Sequence, residues 1–245
     1  MSGILLSFAH PDDESVLAAG VACKYALSGV PIVLSVATRG EAGRVGDPPV
    51  CPRDDLPAVR EAELRRAAAV LGVSDLAFLG YRDRELAAAP PDAVRQQLVG
   101  LLRRHRPEIV ITFDPNGSNL HPDHMAISRF TSDAIAAAGD ARWFPEVGDP
   151  HQVGRLLWAP PERPWHMMRA PGFPSLPGID FVVDIRPWAR QKADALRAHR
   201  TQHLSIHRIF FSQPDVEMLL SAELFRQAWG PALRERPGDD LFAGL

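Results

Sequence analysis

Short apolar, β-branched runs alternate along the chain with longer stretches of helical spacing, and this alternation limits the possible folds more than any other feature. The runs are residues 4–9, 32–38, 76–81, 108–113, 155–159 and 181–185. Each is bounded by polar, Gly or Pro residues, as buried strands of a parallel sheet are. Helix-like stretches fall between them at about 14–28, 57–72, 92–105 and 122–138. Leu64, Ala67, Ala68 and Leu71 keep helical spacing ahead of Gly72, and Leu98, Leu101 and Leu102 do the same ahead of Pro107. A β-α-β-α order predicts a Rossmann-like α/β fold, an open and mostly parallel doubly wound sheet flanked by helices, with right-handed crossovers. Ligands of such sheets bind at the carboxyl ends of the strands, near the switch in strand order. Further helices are expected over 187–198 and 215–229, with an irregular Pro- and Gly-rich region at 143–178. Residues 237–245 read equally as a tail or an ordered cap, and residues 1–245 read as one domain.

The strand ends carry the chemistry. The first strand runs into His10-Pro11-Asp12-Asp13-Glu14, and the fourth into Asp114-Pro115 followed by His121-Pro122-Asp123-His124. In both clusters Pro sits where a helix should start, a position that needs no N–H. His10 and Asp13 are then three apart across a first turn, as are His121 and His124, so each pair can aim at one point. Two imidazoles and one carboxylate with an open fourth position make a catalytic zinc site, and His10, Asp13 and His124 are assigned as its ligands. Asp12 suits a general base. His121 is placed to stabilise an oxyanion or to protonate a leaving amine, and Asp123 to hold the His121 tautomer. An isolated His-Pro-Asp is commonly only a helix cap, but two such clusters at the ends of strands in one sheet favour a shared ion. Glu41 and Gly43 lie in the loop after the second strand, where a Gly-rich backbone can approach a ligand.

Composition excludes other classes. With 27 Lys and Arg against 30 Asp and Glu, the net charge of −3 lacks the basic stripe of a nucleic-acid binder. Two cysteines cannot build a disulfide framework, which points to a reducing cytoplasm. No signal peptide or membrane span is expected. A chain of 245 residues buries roughly 70 to 75% of its unfolded surface, so its fold needs no structural metal. Any metal is then available for catalysis.

Three segments resemble the successive motifs of the PIG-L/LmbE-like zinc-dependent de-N-acetylases. They are Ala9-His10-Pro11-Asp12-Asp13-Glu14, Thr38-Arg39-Gly40-Glu41-Ala42-Gly43 and His121-Pro122-Asp123-His124. The similarity runs on through Arg60-Glu61-Ala62-Glu63, Leu79-Gly80-Tyr81-Arg82-Asp83 and residues 192–202. The resemblance implies one Zn2+ per chain, for which Fe2+ can substitute, and the same roles for His10, Asp13, His124, Asp12, His121 and Asp123. It also implies an arginine near the substrate at Arg60 and an acceptor of sugar hydroxyls at Asp83; Glu41 is taken as a further substrate contact from its place in the loop after the second strand. The substrate implied is a small N-acetylated amino sugar of the N-acetylglucosaminyl type, such as N-acetylglucosaminyl-malate of bacillithiol synthesis. Another amidase of thiol-sugar conjugates is an alternative, and monomer and homo-oligomer both stay open. The aglycone is expected against residues 43–57 and 143–178, where Trp143, Trp158 and Trp165 can stack on a sugar.

Two other classes compete. His10-x-Asp12 with a distant His also matches the two-histidine, one-carboxylate triad of non-haem iron oxygenases, although that triad leaves Pro11 and the second cluster unexplained. A non-catalytic sugar binder on the same fold is the other, although a base beside an open metal site serves no binder.

Overall fold

The computed structural model describes residues 3–160 and 163–245. Seven strands form one sheet: β1 Gly3–Phe8, β2 Ile32–Thr38, β3 Asp75–Tyr81, β4 Pro107–Thr112, β5 Arg155–Trp158, β6 Phe181–Asp184 and β7 Ala222–Trp229. Their order is β3-β2-β1-β4-β5-β7-β6. The first five run parallel, with Leu5 opposite Val33 on one side and Val110 on the other. The order reverses between β1 and β4. Their adjacent carboxyl ends therefore form the crevice in which a doubly wound sheet binds its ligand.

Helices α1 Asp13–Leu17, α2 Ala19–Leu27, α3 Leu56–Leu71, α4 Pro91–His105, α5 Gly117–Leu120 and α6 Pro122–Ala138 follow the parallel strands. Helices α7 Pro164–Arg169, α8 Ala189–Ala198, α9 His203–Ile206 and α10 Val216–Leu219 come later. Every residue of β1 and β2 is buried, as expected of strands covered on both faces. Gly72 ends α3 in the left-handed conformation, φ 72°, which a glycine adopts without a Cβ clash.

One expected element is different. Residues 215–229 do not form a helix: α10 ends at Leu219, and Ala222–Trp229 is a strand paired antiparallel with both β5 and β6. Its Ala-Glu-Leu-Phe-Arg-Gln composition favours a helix locally, but two neighbouring strands supply hydrogen bonds and bury Leu224 and Phe225. Glu223 of this strand is buried and accepts from the N–H groups of Gly20 and Val21, at 2.9 and 2.8 Å, at the start of α2. Lys192 of α8 donates to Glu223 at 2.7 Å and to the Val16 carbonyl at 3.1 Å. Lys192→Met should cost about 3–5 kcal/mol, because the carboxylate left behind is buried without its cation. Urea denaturation would measure it, and a loss under about 1 kcal/mol would contradict this account.

Two arginines order segments that were unreadable in the sequence. Arg103 is buried and donates to six carbonyls between Ala137 and Gly148, at 2.7–3.3 Å. Arg155, wholly buried, donates to the carbonyls of Leu241 and Ala243, so 237–245 is an ordered cap with Leu241 in the core. Among the described residues no helix is long and apolar enough to cross a membrane.

Candidate active site

His10 follows β1, and the loop that carries His121 and His124 follows β4, so the neighbouring strand ends bring both clusters together. The three sides of the triangle formed by His10, His124 and Asp13 are short. His10 Nδ1 lies 3.1 Å from His124 Nε2, His124 Nε2 lies 3.4 Å from Asp13 Oδ1, and Asp13 Oδ2 lies 3.7 Å from His10 Nδ1. Ligands about 2.0–2.2 Å from a tetrahedral ion stand about 3.3–3.6 Å apart, and these donors, at 3.1–3.7 Å, come within about 0.2 Å of the spacing a divalent metal of zinc's size needs.

The hydrogen bonds behind them also fit. His124 Nδ1 donates to the Gly117 carbonyl at 3.1 Å, which leaves Nε2 as a lone pair. His10 Nε2 faces Asp83 Oδ1 at 3.1 Å and Asp123 Oδ2 at 3.2 Å, which leaves Nδ1 as a lone pair. Metal-binding imidazoles are held in this way, with the second ring nitrogen donating to a carboxylate or carbonyl. Two lone pairs and a carboxylate facing one another repel unless a cation, either a metal ion or a proton on His10 Nδ1, lies between them. The Phe113 ring stacks on His124 at 4.0 Å and fixes its plane. Gly117 is required where it stands: its φ is 68°, and a side chain there would strike His124 and the Met125 backbone. Asp114 shapes that turn by accepting from the N–H groups of Asn116 and Ser118 at 3.1 and 2.7 Å.

The surrounding carboxylates set the charge at this point. Burial disfavours the charged form of His10, but Asp123, Asp83 and Asp13 outweigh it and push the imidazole up to about 10, so the Nδ1 that faces His124 and Asp13 carries a proton that a bound metal would displace. Burial also opposes the charge of Asp83, yet His10 and the Ala42 N–H hold it down at about 2. His124 is driven well below its usual value by burial and by the neighbouring His10, which keeps it neutral as a ligand must be. Wider groupings of donors also exist, His10 with His121 and His124, and His10 with Asp83 and Asp123, each within 4.8 Å. The second surrounds the protonated nitrogen of His10 and serves to orient it.

Asp12 stands beside the triangle in a strained backbone conformation. Its φ of 121° and ψ of −25° are rare for a residue with a side chain, a strain of order 1–3 kcal/mol. The helix accordingly begins at Asp13, one residue after Asp12, so Pro11 does not occupy the first helical position that the sequence suggests; Pro122 does. The Asp12 carboxylate lines the cavity and lies 3.4 Å from the Arg60 guanidinium. Burial pushes it up to about 6, against the pull of Arg60. Its N–H donates at 3.0 Å to Glu14, a buried carboxylate that also receives His199 Nε2 at 2.8 Å and the Ser15 hydroxyl at 2.6 Å. His199 is thus a buried partner of Glu14, 185 residues away in sequence.

A family model described as "PIG-L: GlcNAc-PI de-N-acetylase" matches residues 5–135. The "1D-myo-inositol 2-acetamido-2-deoxy-alpha-D-glucopyranoside deacetylase" of Rhodococcus opacus (strain B4) is 33% identical over 99% of this chain and 98% of that protein. The chain belongs to the PIG-L family. The "Probable N-acetyl-alpha-D-glucosaminyl L-malate deacetylase 2" of Bacillus anthracis is 40% identical over 54% of this chain and 59% of that protein. The conserved protein TT1542 of Thermus thermophilus superposes with a TM-score of 0.72 at 26% identity, covering 95% of this chain and 97% of that one.

Among the other residues singled out in this PIG-L chain, the partner of Asp123 differs from expectation, while Arg60 and Asp83 line the cavity. The Asp123 side chain accepts from the Arg84 N–H at 2.6 Å and faces His10; it does not hold His121. His121 Nδ1 instead accepts from the Asp123 backbone N–H at 3.2 Å, because His121 caps α6. Its proton therefore sits on Nε2. Arg60 is buried and bonds the carbonyls of Gly40 and Pro11, tying the loop after β2 to the loop after β1. Side chains at Gly40 or Gly43 would collide with its guanidinium. Asp83 lines the cavity but is already engaged by His10 and Ala42. Glu41 Oε1 accepts from the Asp83 N–H at 3.1 Å, so its observed contact is to that loop. The oxygenase pattern needs Asp12 beside His10 and His124; the carboxylate that meets both imidazoles is Asp13.

The cavity above these residues measures about 300 Å³. Gly43, Pro164 and Trp165 line it from the regions expected to meet an aglycone, whereas Trp143 and Trp158 do not. Asn119, Ser205, Arg208 and Ile209 line it as well, and no motif marks them in the sequence.

Proposed function

We propose that the protein is a zinc-dependent hydrolase that removes the acetyl group from an N-acetylglucosamine-type amide. The observation that carries this reading is the His10, His124 and Asp13 triangle with the Asp12 carboxylate beside it at the floor of an open cavity. The deacetylases of Rhodococcus opacus and Bacillus anthracis support the choice of substrate class.

His10, Asp13 and His124 would hold a zinc ion, which when bound would supply the Lewis acidity that activates water near neutral pH and polarises the acetyl carbonyl. Asp12 takes the proton of the attacking water. Raised to about 6, it is basic enough to accept that proton near neutral pH and acidic enough to release it. As the C–N bond breaks, the same carboxyl returns the proton to the leaving amine, and acetate and the free amino sugar separate. His121 presents its Nε2–H to the developing oxyanion. Burial and the nearby His10 lower its pKa, so it donates as a neutral imidazole. Asp123 and Asp83 hold His10 in orientation, and Arg60 steadies Asp12.

The test is acetate release by the zinc-loaded protein from N-acetylglucosaminyl-inositol, N-acetylglucosaminyl-malate and chitooligosaccharides. Acetate and free amine should appear one to one with at least one of them. Zinc-loaded protein that binds these sugars yet releases no acetate from any would favour the non-catalytic binder.

A further inference from the structure

The mouth of the cavity carries charge opposite to that of its floor. Asp12, Asp13 and Asp83 line the cavity as buried or half-buried groups beside the buried Arg60, whereas Arg84 and Arg208 line it as exposed residues. A second hollow of about 300 Å³ shares Asn119, Trp165, Arg208 and Ile209 with the first and adds Arg163 and Arg169. The two hollows therefore adjoin. No Asp or Glu lines the second among the described residues. Arg169 is neutralised by Asp215 at 2.7 Å, but Arg84, Arg163 and Arg208 form no ion pair among the described residues.

The hollow is also shaped by the fold. Arg208 and Ile209 belong to a π-helical turn, His207–Phe211, a distortion that recurs at functional sites. The Trp165 ring forms a wall shared by both hollows and is braced edge-on by Phe210 at 6.1 Å. Arg84 is anchored through its backbone N–H to Asp123, the carboxylate behind His10.

Resting on the deacetylase reading above, we propose that this arginine pouch binds an anionic group on the aglycone of the amino sugar. A guanidinium fork matches carboxylate and phosphate geometry and stays charged at any physiological pH. The charge order then sets direction: the amide enters toward the carboxylate-rich, cation-binding floor, and the anion remains at the mouth. The net charge of −3 makes this positive rim a local feature, one that also draws an anionic substrate in.

The test compares three N-acetylglucosaminides that differ only in the aglycone: carboxymethyl, phosphonomethyl and the uncharged carboxamidomethyl. Calorimetric binding and acetate release are both measured with zinc-loaded protein. An anionic glycoside should exceed the amide by about tenfold or more in affinity and in kcat/KM, the usual worth of a hydrogen bond to a charged group. The better of the two anions identifies the group. Arg208→Met should bring the anion-to-amide ratio close to one, Arg208→Lys should restore part of it, and salt should shrink it. Arg208 is exposed, so neither substitution endangers folding. Equal affinity for all three glycosides, or a ratio untouched by Arg208→Met, overturns the pouch. Preferential binding of the anion without acetate release supports the pouch and overturns the deacetylase reading instead.

Discussion

Asp12→Asn should lower kcat by a factor of about 10² to 10⁴, the usual worth of a positioned general base, while zinc content and thermal midpoint stay at wild-type values. The amide has the size of the carboxylate and, like Asp, tolerates a positive φ, so the 121° turn survives the exchange. Its N–H to Glu14 and the Arg60 contacts to Gly40 and Pro11 do not involve the altered atoms. What is lost is proton acceptance and the charge that faces Arg60 at 3.4 Å. Turnover near wild type in a fully metallated Asp12→Asn protein would move the base elsewhere. A variant that also loses zinc would mean that Asp12 supports the metal rather than the proton transfer.

His124→Ala should have the opposite signature: zinc falls from one ion per chain to a small fraction, and activity falls with it. Losing an outer partner of a metal ligand costs about 10–100-fold in affinity, and losing the ligand itself should exceed that. The two donors that remain, His10 Nδ1 and Asp13, cannot close a three-ligand site. Truncation also opens a gap against Phe113, so the midpoint should drop as well. Metal analysis after gel filtration, with circular dichroism to verify folding, separates the two effects. A folded His124→Ala protein that keeps a full zinc ion would remove His124 from the ligand set.

The six runs expected as strands match β1 to β6 to within a residue or so, and three of the four helical stretches match in the same way, because each signal is local; the stretch 14–28 is broken at Ala18 into α1 and α2. Residues 222–229 mislead for the same reason: a helix-favouring composition says nothing about two strands waiting on either side. Arg60 looks like a surface charge beside Glu61 and Glu63, and only the fold buries it under Gly40 and Gly43. Asp123 lies two residues from His121, and sequence proximity suggests a pair. The first turn of α6 instead turns its carboxylate toward His10, 113 residues earlier in the chain.

Spacing within one turn, and position at one strand end, determined the parallel fold and the two clusters at its carboxyl edge, since such relations survive wherever the segment is placed. The tertiary structure decided which nitrogen of His10 is left free, what holds the strained Asp12, and where Arg84, Arg163 and Arg208 gather. Most of those contacts join residues tens to nearly two hundred positions apart. They depend on how whole helices dock on the sheet, a quantity set by packing across the molecule rather than by any local pattern.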